Sequence, residues 1–151
     1  MHSGLRDDLV AADGPLAGQT LQTVEPVSGG CIHQAWSLTL EGGQRLFAKS
    51  GGPEAMALFR VEAEALEALH DFADPKLLVV PRPRAIAQLT HGSVLLLPWL
   101  DLGGGDQRAL GRGLARLHRT SAEASPGRFG WHRDGFIGAG PQPGGWKDAW
   151  G

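Results

Sequence analysis

The chain has 151 residues, with 14 basic and 16 acidic side chains and a formal net charge of −2. That length suits one domain with a proper core, and the near-neutral balance gives no bulk attraction to nucleic acid or to an anionic membrane. A 42% hydrophobic content is that of a globular chain. No apolar run reaches the roughly 20 residues that span a bilayer, and residues 1–8 lack the basic-then-apolar layout of a signal peptide, so a cytoplasmic location is expected.

Leu5, Leu9 and Ala12 mark a short amphipathic helix over 5–12, ended by Gly14-Pro15. Three extended runs follow, over 20–27, 32–40 and 45–50. In the second, Ile32, Trp36, Leu38 and Leu40 fall largely in step with period two. Ser28-Gly29-Gly30-Cys31 joins the first run to the second, and Glu41-Gly42-Gly43-Gln44 is a hairpin signal before the third. After Gly51-Gly52-Pro53 the period becomes helical over 54–70, with Phe59, Leu66 and Leu69 on one stripe and Pro53 suited to the first helical position. Pro75, Pro81 and Pro83 interrupt the chain. Two further strands, 84–89 and 93–97, flank Thr90-His91-Gly92.

Gly103-Gly104-Gly105 forms a flexible joint, and Asp106 caps a helix over 107–119 with Leu110, Leu114 and Leu117 on one face. Residues 121–145 read as loop. Trp146 and Trp150, four apart, read as the packed face of a third helix beginning at 146 rather than as a sugar-binding pair. Short turns between the early strands favour antiparallel pairing. The prediction is an α+β fold: a five-stranded, mainly antiparallel sheet with one long helix packed on it over residues 1–100, then a linker and the start of a helical part over 101–151.

Lys49 stands out among only three lysines. It ends Leu46-Phe47-Ala48-Lys49, an otherwise apolar strand, on the face of Phe47 and opposite Leu46 and Ala48. A buried ammonium needs an anionic partner, whereas an edge lysine would snorkel to water. Glu62 lies on the stripe of Phe59, Leu66 and Leu69, spaced three, four and three apart, so it can reach Lys49 from the next helix; at the stripe's edge it would instead be solvated. Gly29-Gly30 would let backbone N–H groups approach phosphates, although two glycines in a hairpin are more commonly a plain turn. Cys31, the lone cysteine, forms no internal disulfide; on an exposed loop it is a candidate for oxidation and an intermolecular bridge, or else a small half-buried thiol.

Strand, glycine turn, strand, hairpin, strand with lysine, helix with inward glutamate, two strands and a linker make the layout of the smaller lobe of protein-kinase-like phosphotransferases. In it, residues 94–100 hold the last strand and the hinge. Pro98 offers its carbonyl and Leu100 its N–H to an adenine ring.

The chain resembles the fructosamine (ketosamine) kinase family. The matching stretches are Ser28-Gly29-Gly30-Cys31-Ile32, Leu46-Phe47-Ala48-Lys49, residues 58–66 around Glu62, Val80-Pro81-Arg82-Pro83, Leu110-Gly111 with Leu117-His118, and above all the aromatic run 129–138 leading to Pro141-Gln142-Pro143 and Trp146. The resemblance implies an ATP- and Mg-dependent kinase that phosphorylates the sugar of a small-molecule ketoamine, as in repair of glycated amines. It further implies that Lys49 contacts the nucleotide phosphates, that Glu62 positions Lys49, and that Gly29, Gly30, Cys31 and Ile32 cover the phosphates.

The family pattern continues into His-Gly-Asp-Leu-Trp, a following Asn and a metal-binding Asp, none of which occurs in these 151 residues. His132-Arg133-Asp134 spells a kinase catalytic loop, but Ala139 stands where its Asn would fall and no Asp-Phe-Gly follows. Gly144 stands where the family has Asn. The expectation is therefore a chain with no catalytic base and no metal ligands of its own, inactive or nearly so by itself. Two other readings stay open: another small-molecule kinase, of the aminoglycoside or choline type, and a non-catalytic nucleotide-binding or interaction module. A homodimer through Cys31 or through an exposed lobe face is a further expectation.

Overall fold

The computed structural model describes residues 1–28, 32–125 and 127–149. Two compact units emerge, one comprising Met1–Glu64 with Pro81–Asp101 and the other Ala65–Val80 with the chain from Leu102 onward.

The first unit is built on five strands: β1 (Leu21–Val27), β2 (Gln34–Leu40), β3 (Arg45–Gly51), β4 (Ala85–Leu89) and β5 (Gly92–Pro98). They pair in the order β1-β2-β3-β5-β4, every pair antiparallel, so β3 is central. The β2–β3 turn is made by Gly42 (φ 88°) and Gly43 (φ 84°), both left-handed, which only glycine adopts without strain. Gly43 N–H donates to the Leu40 carbonyl at 3.0 Å and closes it.

Period two divides the sheet into two unlike faces. One carries Leu38, Leu40, Leu46, Ala48, Val94 and Leu96, all buried in a single apolar cluster with Leu9 and Leu16. Leu9 comes from helix α1 (Ser3–Val10), so this short helix and the turn after it seal that face. His2 caps α1, its Nδ1 accepting from Gly4 N–H at 3.2 Å. Asp8 of α1 accepts from His91 N–H at 2.8 Å, tying the helix to the β4–β5 turn.

The other face carries Arg45, Phe47 and Lys49 of β3 together with Ala35, Ser37, Leu95 and Leu97. Helix α2 (Ala55–Phe72) packs there. Its buried positions are Ala55, Phe59 and Ala63, four apart. The expected stripe of Phe59, Leu66 and Leu69 is corrected accordingly. Leu69 is exposed and Leu66 only half-buried; both lie past Glu64, where α2 leaves the compact unit of the sheet.

In the second unit, helix α3 (Gln107–Glu123) is capped by Asp106, which accepts from Arg108 N–H at 2.8 Å. Leu117 is buried, whereas Leu110 and Leu114 of the expected face are exposed. Gly113 is the closest approach: a Cβ there would stand 2.8 Å from that of Leu78. Arg116 pairs with Asp74 at 2.6 Å, and His70 Nδ1 donates to the Val80 carbonyl at 2.9 Å.

The expected loop over 121–145 and the third helix from 146 are also corrected. α3 runs on to Glu123, and four short strands follow: β6 (Phe129–Trp131), β7 (Gly135–Ile137), β8 (Gly140–Gln142) and β9 (Gly145–Lys147). β6 pairs with β9 and β7 with β8. Trp146 is thus a strand residue opposite Gly130, and Trp150 lies outside the described residues. Helix is prevented at 144–145 by two glycines, the second at φ 104°. Gly144 N–H donates to Asp134 at 2.8 Å, and a Cβ at 144 would overlap the Arg133 carbonyl. No helix among the described residues is long and apolar enough to cross a membrane.

Candidate functional site

Lys49 sits one strand from each edge of a three-strand strip, opposite Ala35 of β2 and Leu95 of β5. Strand alternation aims its side chain at α2. There Lys49 Nζ donates to Glu62 Oε1 at 2.6 Å. Glu62 lies one helical turn beyond Phe59, whose complete burial fixes the rotation of α2 on the sheet. The two side chains keep 31% and 32% of their surface exposed. At that exposure the pair contributes on the order of 1 kcal/mol or less to folding, so its consequence is positional. A short charge-assisted hydrogen bond holds the ammonium extended over the sheet with two further N–H donors.

Pro98 ends β5. Trp99 N–H donates to the Arg45 carbonyl at 3.4 Å, so residue 99 bonds toward β3 and Pro98 toward the opposite side. On that side the ladder to β4 begins only at the Ala85–Leu96 pair. The Pro98 carbonyl therefore lies past the end of the ladder, with no N–H of its own residue beside it. Leu100 follows, half-buried and outside any strand.

Gly29, Gly30 and Cys31 lie outside the described residues, and Ile32 beside them is 45% exposed. The structure thus brings Lys49 and Glu62 together and leaves Pro98 and Leu100 at the end of the same sheet. Among the described residues no group of three or more His, Cys, Asp or Glu is placed to hold a metal ion.

Sequence reasoning missed two neighbours. His33, just before β2, packs against Phe59 with ring centroids 4.7 Å apart and the ring planes tilted by 57°. Arg45 lies on the face of Lys49, four positions earlier in the same strand. Counting back by twos from Lys49 would have found it. Its guanidinium stands 3.9 Å over the Trp99 ring. A shallow surface groove of about 570 Å³ in the second unit is lined by Asp71, Phe72, Asp74, Pro75, Arg116 and Thr120; no residue described above as a candidate lines it.

A family model described as fructosamine kinase matches residues 10–151. A Synechocystis protein assigned as a ketoamine kinase (slr1563) is 38% identical over 133 residues, which are 86% of this chain and 43% of that protein. The chloroplastic protein-ribulosamine 3-kinase of Arabidopsis thaliana is 35% identical over 127 residues, 82% of this chain and 37% of its own length. The chain spans less than half the length of these relatives. A solved structure from Haemophilus somnus 129PT, assigned as a fructosamine-3-kinase, superposes on 99% of this chain and 51% of its own with a TM-score of 0.78 at 22% identity. One from Thermobifida fusca YX-ER1, assigned likewise, does so over 88% and 44% with 0.65 at 23% identity. They establish the fold, which is α+β and protein-kinase-like. With its matched residues running from 10 to the end, the chain belongs to the fructosamine kinase family.

Proposed function

We propose that these residues form the ATP-binding part of a kinase that phosphorylates the sugar of a small-molecule ketoamine. The observation that carries this reading is the 2.6 Å contact between Glu62 Oε1 and Lys49 Nζ on β3, the strand paired with the β5 strand that ends at Pro98. In it, Lys49 holds phosphate oxygens through the N–H donors that Glu62 leaves unused. The Pro98 carbonyl accepts from the adenine amino group, and Leu100 N–H donates to the ring. Gly29, Gly30, Cys31 and Ile32 cover the phosphates.

ATP fits this donor and acceptor set. A magnesium ion would neutralise phosphate charge during transfer, but the described residues offer no cluster to hold one, and no step is assigned to it. With no His-Gly-Asp-Leu-Trp segment in the sequence, the 151 residues bind nucleotide without turning it over at a normal rate.

Thermal melting with saturating ATP and magnesium tests the reading. At a hundredfold excess over Kd, binding stabilises by about 2.7 kcal/mol, a rise of about 5–10 °C in Tm. Lys49→Ala abolishes the rise. An unchanged Tm in the unmodified chain overturns the assignment and leaves the non-catalytic interaction module standing.

A further inference from the structure

Arg45 holds Trp99 from two sides. Its main-chain carbonyl accepts from Trp99 N–H at 3.4 Å, and its guanidinium lies 3.9 Å over the Trp99 ring. One part-buried contact anchors this stack, and a second, exposed one joins it. Arg45 Nη2 donates to Ser37 Oγ at 3.2 Å, and Ser37 is buried on β2. Trp99 Nε1 donates to Asp101 Oδ1 at 2.9 Å, and Arg45 Nη1 stands 3.7 Å from that same oxygen. Guanidinium, indole and carboxylate thus close a ring of three side chains across the start of β3 and the segment that leaves β5.

Trp99 is the residue between Pro98 and Leu100. A residue whose main chain and ring are both tied to β3 cannot rotate freely. The peptide units on either side inherit its orientation. The neighbouring proline adds a fixed φ. Lys49 stands on the same strand as Arg45, so one strand carries both the ammonium and the guanidinium that stacks on Trp99. An arginine suits this role better than a lysine, because its planar head stacks on the indole while its N–H groups bond at the edge.

We propose that Arg45, through Trp99 and Asp101, is a positioning residue for the base-binding segment, aligning the Pro98 carbonyl and the Leu100 N–H for a purine ring while taking no part in phosphate binding. This rests on the nucleotide reading above. It predicts a split that a general structural role would not produce: loss of Arg45 weakens ligands that carry the base and spares those that carry only phosphates.

Calorimetric titration of the 151-residue chain with ATP, adenosine and inorganic tripolyphosphate tests it. For Arg45→Ala, ATP and adenosine are expected to weaken about fivefold, the scale of a partly exposed cation–π contact, with tripolyphosphate affinity unchanged. Arg45→Lys, which keeps the charge and loses the planar stack, falls between. Should Arg45→Ala fail to fold, Arg45→Lys and Trp99→Leu are read by the same criterion. Equal weakening of all three ligands overturns the proposal, as does no weakening of any, and either leaves the nucleotide reading intact if Lys49→Ala still weakens ATP and tripolyphosphate together. No ATP binding by the unmodified chain removes the nucleotide reading, and this inference with it.

Discussion

The two faces of the five-stranded sheet are made by the same strands and do opposite things. One presents Leu38, Leu40, Leu46, Ala48, Val94 and Leu96 to α1 and is closed to water. The other carries Arg45, Phe47 and Lys49, with Lys49 held by Glu62 of α2 and Arg45 at a partly open surface. Closing one face completely supplies stability that does not depend on the chemistry of the other. A lysine and an arginine can then stay on the second face at little cost to the fold, because neither is fully desolvated.

The sharpest way to break this contrast is to damage the sealed face. Leu96→Ala is expected to cost about 2–5 kcal/mol, since Leu96 is completely buried and the β-sheet around it cannot collapse into the gap. Urea unfolding checks this. At temperatures where the variant is folded, its ATP affinity should match that of the unmodified chain.

The mirror experiment is Glu62→Gln on the other face. It removes the charge that holds Lys49 while keeping the size of the side chain. Unfolding free energy should move by less than about 1 kcal/mol, as for other partly exposed pairs. ATP affinity should fall several-fold, by less than with Lys49→Ala. A variant that loses stability and keeps affinity would reverse the assignment of the two faces.

The smallest effect concerns the seal itself. The His91 backbone N–H, followed by its side chain, holds the Asp8 carboxyl below its ordinary value of 3.8. A carboxylate whose folded pKa is lowered adds stability that is full above its unfolded value. That stability is lost as pH falls through the lower folded value. Asp8→Asn should therefore be less stable than the unmodified chain at neutral pH. The gap should shrink below about pH 4. Parallel melting curves from pH 3 to 7 check it, and a gap that is constant or widens in acid would show that α1 is not held through this carboxylate.

Much of the sheet unit was legible. Period two along 45–50 set the face of Lys49, and Gly42-Gly43 marked a turn that needs two left-handed residues. The Lys49–Glu62 contact was legible as a possibility, because the two are thirteen positions apart and only one turn and the start of one helix intervene. The supporting stripe was misjudged. A leucine scores as more apolar than an alanine, yet Ala55 and Ala63 are buried and Leu69 is not, because only the part of α2 up to Glu64 belongs to the compact unit of the sheet. The strands after α3 were invisible for another reason. Three residues are too few for a period-two signal, and pairs such as Gly130–Trp146 join positions that share no local pattern.

By itself the sequence determined which residues share a face and where the chain must turn, because strand alternation and left-handed glycines act within a few residues. Only the tertiary structure decided what meets those faces: α1 on the leucines, Glu62 on Lys49, Trp99 beneath Arg45, and Asp8 on His91 across 83 positions. Such contacts depend on how whole elements pack, and a local period carries no record of the partner that packing will bring.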